Sequence, residues 1–81
     1  MTPDWLNQNN SLTKEFIFKN FKEALAFVNK VGEIAESKNH HPDILMYGYK
    51  KVKITLTTHD QGKVTNKDTE MAKLIDKISI K

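Results

Sequence analysis

The chain has 81 residues, too few for more than one domain, so we expect a single domain over residues 1–81. It contains no cysteine, which excludes a disulfide framework, a thiolate zinc site and a cysteine nucleophile. The formal charge is only +3 and the basic residues are spread along the chain, so direct nucleic-acid binding is not expected.

The sequence also shows no signal-peptide pattern and no run of the ~20 apolar residues that a membrane span needs. These features predict a cytoplasmic protein without membrane contact. A chain this short buries only about 60% of its unfolded surface, and such a core rarely stabilises the fold by more than roughly 3 to 5 kcal/mol. We therefore expect a homodimer or homotetramer, in which a second subunit covers an open sheet edge.

Two strands are predicted at the start of the chain. Residues 5–7 are the candidate for a short first strand, followed by a polar turn over residues 8–10. In residues 11–18 the apolar side chains of Leu12, Phe16 and Phe18 alternate with mostly polar neighbours, which is typical of a half-buried strand.

A helix follows these strands. Asn20 and Glu23 are spaced like a capping box, and the apolar residues after them recur at helical intervals, which predicts a helix over residues 21–36. Pro42 ends any helical path, because the residue before a proline is pushed out of the helical region and proline has no amide hydrogen.

The second half of the chain repeats this order of elements. Residues 44–49 and 52–58 are predicted as two strands, joined by a tight hairpin at Lys50 and Lys51. Thr65 and Asp68 form a second capping box, ahead of a helix with an apolar stripe. Each helix has one apolar face that needs a sheet to cover, so the order β-β-α-β-β-α predicts an α+β sandwich of two layers.

Three histidines are the candidate chemical groups. His40 and His41 lie just before the third predicted strand, and His59 lies just after the fourth. In an antiparallel hairpin the start of one strand lies beside the end of the other, so the three imidazoles are expected at one edge of the sheet. Imidazole gives or takes a proton near neutral pH, which suits acid/base catalysis.

Two other interpretations of the histidines stay open on this reasoning. Each histidine could be an ordinary helix-end or loop residue without a chemical role. Alternatively, three histidines and a water molecule could hold a catalytic zinc ion. The adjacent pair, His40 and His41, makes zinc the less favoured arrangement, because neighbouring side chains diverge more readily than a helical pair.

The residues around these histidines resemble the signature of the pterin-4a-carbinolamine dehydratase family. The resemblance rests on residues 35–43, which contain His40-His41-Pro42, on Tyr49, and on residues 52–60, which end in Thr58-His59-Asp60. It implies the family fold, an antiparallel four-stranded sheet with two helices on one face. It also implies a reaction: dehydration of 4a-hydroxytetrahydrobiopterin to the quinonoid dihydropterin, in the recycling of the cofactor of aromatic amino-acid hydroxylases.

The resemblance assigns roles by position. His40 and His59 match the acid/base histidines, and His41 matches the histidine that chiefly holds the pterin. Further positions that match the lining of the pterin site are Asn39, Thr57, Thr58 and Asp60. Glu36, one helical turn before His40, could orient an imidazole. No metal and no organic cofactor is implied.

A non-catalytic role is the alternative within the same family. Animal members also act as dimerisation partners of a homeodomain transcription factor, and a degenerate member could act as an assembly module. The complete set of three histidines favours the enzyme.

Overall fold

The computed structural model describes residues 5–79, and these form one antiparallel sheet and two helices. The strands are β1 (Leu6–Gln8), β2 (Ser11–Ile17), β3 (Asp43–Tyr47) and β4 (Lys51–Leu56), and the helices are α1 (Phe21–Lys38) and α2 (Asn66–Asp76). The four strands lie in the order β1-β2-β4-β3, and every neighbouring pair is antiparallel. The predicted α+β fold is confirmed.

The core lies between the sheet and the helices. Inward-facing strand residues are paired in register, as Leu12 with Leu56 and Phe16 with Val52. Burying a large aliphatic side chain contributes roughly 1.5 to 3 kcal/mol, so this layer dominates stability. The buried apolar residues of the two helices that cover it are Ala24, Phe27, Val31, Ala35, Met71, Ala72 and Ile75.

The hairpin between β3 and β4 differs from the prediction. Its loop consists of residues 48–50, and Lys51 already belongs to β4, where it pairs with Tyr47. The chain reverses because Gly48 and Tyr49 both adopt a left-handed backbone, with φ of 55° and 52°. A tight turn at Lys50 and Lys51 was therefore wrong, and the third strand ends two residues earlier than expected.

Helix α1 begins as predicted and ends two residues later. The Asn20 side chain accepts a hydrogen bond from the Glu23 amide at 2.9 Å, whereas the Glu23 carboxylate accepts from the Lys19 amide instead of closing a capping box. At the other end, Asn39 adopts a left-handed conformation with φ of 50°, and the His40 amide donates to the Ala35 carbonyl at 3.1 Å. This turn ends the helix and fixes the backbone of His40.

A buried lysine ties the first described residues to the end of α2. Lys14 lies on the inner face of β2, is 6% exposed, and its Nζ is 2.8 Å from a carboxylate oxygen of Asp76. The Trp5 indole N–H donates to the same carboxylate, at 3.1 and 3.2 Å from its two oxygens. The Lys14 ammonium also lies 5.0 Å from the centre of the Phe16 ring, a cation–π contact.

Candidate active site

His40 lies where α1 ends and pairs with a buried carboxylate of α2. Its Nε2 atom is 2.6 Å from Oδ1 of Asp68, and the side chains of His40 and Asp68 are 12% and 0% exposed. The backbone turn at Asn39 directs His40 towards the start of α2. The imidazole is therefore held in one orientation by both its backbone and its side chain.

Asp68 joins three elements through its second oxygen. Oδ2 accepts hydrogen bonds from the Thr58 hydroxyl at 2.8 Å and from the Thr65 amide at 2.9 Å. The hydroxyl oxygens of Thr58 and Thr65 are 2.6 Å apart. The carboxylate thus connects the end of α1, the residues after β4 and the start of α2.

Asp68 is ionised in this setting. Burial raises the pKa of its carboxyl group, but hydrogen bonds from His40, Thr65 and Thr58, together with the charge of His40 when that imidazole is protonated, lower the pKa by more, so it lies below its ordinary value. An ionised carboxylate can only accept hydrogen bonds, so the His40 nitrogen that faces it, Nε2, carries a proton. Nδ1 is then the nitrogen that can take up a further proton.

The three histidines all line one open depression of about 220 Å³. The expected convergence of His40, His41 and His59 is therefore what the structure shows. The other residues that line the depression are Asn39, Thr58, Asp60 and Lys67.

His41 and His59 are less constrained than His40. The Nε2 atom of His41 is 2.5 Å from Oε2 of Glu36, and these two side chains are 56% and 79% exposed. Glu36 thus orients His41 and not His40. His59 is exposed and lies in a turn in which the Gly62 amide donates to the Thr58 carbonyl at 2.8 Å.

This site can be compared with known proteins. The model of the family described as pterin 4 alpha carbinolamine dehydratase matches residues 1–78. The chain belongs to this family. The resemblance carried by the paired histidines and by residues 52–60 is therefore confirmed at the level of the family.

Relatives of this chain agree with the family assignment. A protein of Sulfurisphaera tokodaii, whose name marks it as an inferred pterin-4-alpha-carbinolamine dehydratase, is 51% identical over 91% of this chain and 78% of its own length. A relative of the same name from Thermomicrobium roseum is 43% identical over 95% of this chain and 82% of its own length.

Two solved structures share the fold. A transcriptional coactivator/pterin dehydratase from Brucella melitensis matches with a TM-score of 0.81 and 32% identity, over 90% of this chain and 77% of that chain. A pterin dehydratase-like protein identified as a RuBisCO assembly factor in the alpha-carboxysome matches with a TM-score of 0.78 and 25% identity, over 91% and 87% of the two chains.

The predicted site residues lie together, with one exception. Asn39, Thr58 and Asp60 line the depression, whereas Thr57 does not, and the Thr57 hydroxyl donates to the Asn10 carbonyl at 2.8 Å. A role of these four residues in binding a pterin stays a prediction.

Sequence reasoning missed the carboxylate that holds His40. Asp68 was interpreted only as a capping residue, and the Thr65 to Asp68 spacing was the signal that could have drawn attention to it. Thr58 and His40 contact Asp68 from 10 and 28 residues away in the sequence, so no local sequence pattern predicts these contacts. Lys67, a lining residue, had no signal in the sequence at all.

The described residues contain neither a candidate metal site nor a candidate membrane span. Among residues 5–79, no three or more His, Cys, Asp or Glu side chains are grouped so that they could hold a metal ion. No helix in the same range is long and apolar enough to cross a membrane.

Proposed function

We propose that this protein is a pterin-4a-carbinolamine dehydratase, which converts 4a-hydroxytetrahydrobiopterin to quinonoid dihydropterin and water by histidine acid/base catalysis. The observation that carries the proposal is the pairing of His40 with the buried, ionised Asp68 beside a depression shared with His41 and His59. Membership of the pterin dehydratase family supports the pterin as substrate.

The reaction needs one proton to be delivered and one to be removed. The bond between C4a and its hydroxyl oxygen breaks, and an acid protonates the departing hydroxyl to give water. A base takes the proton from N5, and the electron pair of that N–H bond forms the double bond between C4a and N5. Positioned proton transfer of this kind typically accelerates a reaction by ~10²- to 10⁴-fold.

His40 suits the role of the base. A carboxylate that faces one imidazole nitrogen stabilises the imidazolium ion that forms when the other nitrogen takes a proton. The 2.6 Å contact between Asp68 and Nε2 of His40 provides this arrangement, so we assign the N5 proton to Nδ1 of His40. His59 follows β4 and lines the same depression, so we assign to it the role of the acid that protonates the hydroxyl.

The remaining lining residues hold the substrate. We assign to His41 a binding role, since its partner Glu36 is exposed and the pair is more open to solvent than His40 and Asp68. We propose that the pterin ring forms hydrogen bonds with Asn39, Thr58 and Asp60, which line the depression. Thr57 lies outside the depression, so we assign to it a less direct role.

The decisive experiment is a dehydration assay on freshly generated 4a-hydroxytetrahydrobiopterin with chelator-treated protein. We expect acceleration well above the spontaneous rate, because the proposed steps use only imidazoles and water. Loss of activity with EDTA that returns with zinc would support a metal mechanism instead. A chelator-treated protein that never exceeds the spontaneous rate contradicts the dehydratase proposal.

A second candidate is a non-catalytic dimerisation or assembly module of the same fold. It is favoured by the likeness to the RuBisCO assembly factor, which shares the fold at a TM-score of 0.78. The complete set of histidines around the depression favours the enzyme. For the enzyme we further propose a homodimer or homotetramer in the cytoplasm that works beside an aromatic amino-acid hydroxylase.

A further inference from the structure

A second cavity adjoins the catalytic depression on the helix side of His40. It has a volume of about 220 Å³. We call it the lysine cleft, and its lining residues are Lys38, His40, Lys67, Glu70 and Met71. His40 and Lys67 border both the lysine cleft and the depression, so the two spaces meet at these side chains.

The two ammonium groups of the lysine cleft are not neutralised by an ion pair within the described protein, and the nearby Asp68 carboxylate already accepts hydrogen bonds from His40, Thr58 and Thr65. Among residues 5–79 the ion pairs are those of Lys14, His40 and His41 with their carboxylates, so neither Lys38 nor Lys67 has an ion-pair partner in this range. Glu70 is the one acidic residue that lines the cleft, against two lysines. Lys67 is also the second residue of α2, and the positive end of the helix dipole adds to its charge.

The chemistry of the pterin indicates what this cleft can take. In the proposed reaction His40 receives the proton of N5, and C6, which carries the side chain of the pterin, is bonded to N5. A ring that presents N5 to His40 therefore places its C6 side chain next to His40, at the opening of the lysine cleft. The ring itself offers no negative group to the two ammonium groups, so an anionic side chain is the partner that they lack.

From this juxtaposition we infer that the lysine cleft selects pterins whose C6 side chain ends in an anionic group, with a phosphate monoester as the favoured case. The inference rests on the proposed function for the position of the ring. A short phosphorylated chain suits a cleft of about 220 Å³, with the thioether of Met71 against its carbon atoms and the lysines at its charged end. A folate side chain, which ends in carboxylates, shares the charge but needs room for an aromatic ring.

Equilibrium binding tests the inference without turnover. The probes are 7,8-dihydroneopterin, its 3′-monophosphate and dihydrofolate, titrated against the protein by fluorescence. We expect the phosphate ester to bind about five- to tenfold more tightly than the neutral pterin, as for two partly exposed ion pairs. The preference should shrink as ionic strength rises. Dihydrofolate should bind less tightly than the phosphate ester, and the opposite ranking would overturn the assignment to a phosphate.

Four variants assign the preference to the cleft. Lys38→Gln and Lys67→Gln should each lower the ratio of the two affinities, and the double variant should bring it close to one. Glu70→Gln should raise the ratio. Lys22→Gln is the matched control, since Lys22 lies 16 residues before Lys38 on α1, roughly 24 Å away by the helical rise and beyond the Debye length.

The outcomes separate this inference from the proposed function. Equal affinities in the wild type, or a preference that survives in the double variant, overturn the inference. If Lys67→Gln weakens both ligands equally, Lys67 contacts the ring and the assignment to the side chain is wrong. If the protein binds the phosphate ester more tightly but does not dehydrate the neutral substrate, the dehydratase proposal is refuted and the anion site is supported. If it dehydrates the substrate but binds both ligands equally, the anion site is refuted and the dehydratase proposal is supported.

Discussion

The three histidines of the depression are held in three different ways. His40 faces a buried carboxylate, His41 faces an exposed one, and His59 lies exposed in a turn. An exposed ion pair contributes about 0 to 1 kcal/mol and orients its members weakly. The structure therefore gives His40 the fixed geometry that suits the proposed base, and His41 the adaptability that suits the proposed binding group.

This difference predicts different kinetic effects of replacing each histidine. His40→Ala and His59→Ala should each lower kcat by on the order of 10²-fold, because each removes one of the two proposed proton-transfer groups. His41→Ala should mainly raise KM, because it removes binding that ground state and transition state share. Steady-state kinetics on freshly generated 4a-hydroxytetrahydrobiopterin measures both constants.

The double variant His40→Ala/His59→Ala tests most directly whether these two residues are the catalytic pair. An acid and a base in one step act as a unit, so its loss of activity need not equal the sum of the single losses. We expect little activity beyond the spontaneous reaction. A folded double variant with near wild-type turnover shows that these residues are not the catalytic pair.

The two carboxylates beside the histidines provide a matched pair of substitutions. Asp68→Asn should lower kcat by about 10- to 10²-fold, a part of what positioned proton transfer contributes, because an amide neither stabilises the imidazolium ion of His40 nor fixes the tautomer of its neutral imidazole. Glu36→Gln, at the exposed partner of His41, should leave kcat within about twofold. Similar kcat values for the two variants would remove Asp68 from the mechanism.

At the scale of the elements, the turns decide where the site residues lie. The left-handed Asn39 ends α1 so that His40 faces α2, and the loop after β4 places His59 beside it. Gly48 makes the turn at the far end of the β3–β4 hairpin, with φ of 55°. In contrast, Gly32 lies within α1, where glycine is a poor helix former.

Replacing these two glycines by alanine should have opposite effects on stability. At Gly48 the nearest atom to an added Cβ is Cδ of Lys51 at 3.6 Å, so the cost is the left-handed backbone alone, about 1 kcal/mol. At Gly32 nothing lies within 4 Å of an added Cβ, so Gly32→Ala should stabilise by up to about 1 kcal/mol. Thermal unfolding should show shifts of about 4 to 8 °C in opposite directions. A destabilised Gly32→Ala variant would mean that another surface packs against this part of α1.

The elements were predictable from sequence because burial imposes a period on the chain. The alternation of Val52, Ile54 and Leu56 indicated β4, and each of these residues is fully buried. The β3–β4 loop was misplaced because Tyr49 adopts a left-handed conformation that its residue type disfavours, so local preference pointed to the lysines instead. In the site, the histidines were predictable from chain position, whereas the burial of Asp68 depends on contacts between residues far apart in sequence.

At the scale of the whole molecule, the lowered pKa of Asp68 makes the free energy of unfolding depend on pH in the acid range. Because its pKa is lowered in the folded state, the unfolded chain binds this proton more readily. The stability that Asp68 contributes is fully present above its unfolded pKa, about 3.9, and is lost as the pH falls through the lower folded value. Asp68→Asn should therefore flatten the loss of stability below about pH 4.

Urea unfolding between about pH 2.5 and 6 measures this dependence. Glu33→Gln, at an exposed position of α1, is the control for the loss of one carboxyl group and should keep the wild-type profile. If the acid profile of Asp68→Asn matches that of the wild type, the carboxylate does not carry the acid dependence.

The small core and the exposed edge strand β3 predict that the protein forms an oligomer. The edge strand β3 exposes Leu45 to 54% and Ile44 to 37%, next to unpaired backbone groups. We expect light scattering at micromolar concentration to give the mass of two or four chains. A stable monomer under these conditions contradicts this expectation.

The contact of Lys14 with Asp76 has a consequence for the order in which the chain can fold during synthesis. The lysine emerges from the ribosome with the second strand, but the carboxylate that neutralises it comes 62 residues later. Until then, an uncompensated ammonium group on the inner face of the sheet opposes closure of the core, since burying an unpaired charge is costly. A nascent chain that lacks α2 is therefore expected to remain open and sensitive to protease, and to close in a single step once the last helix is free.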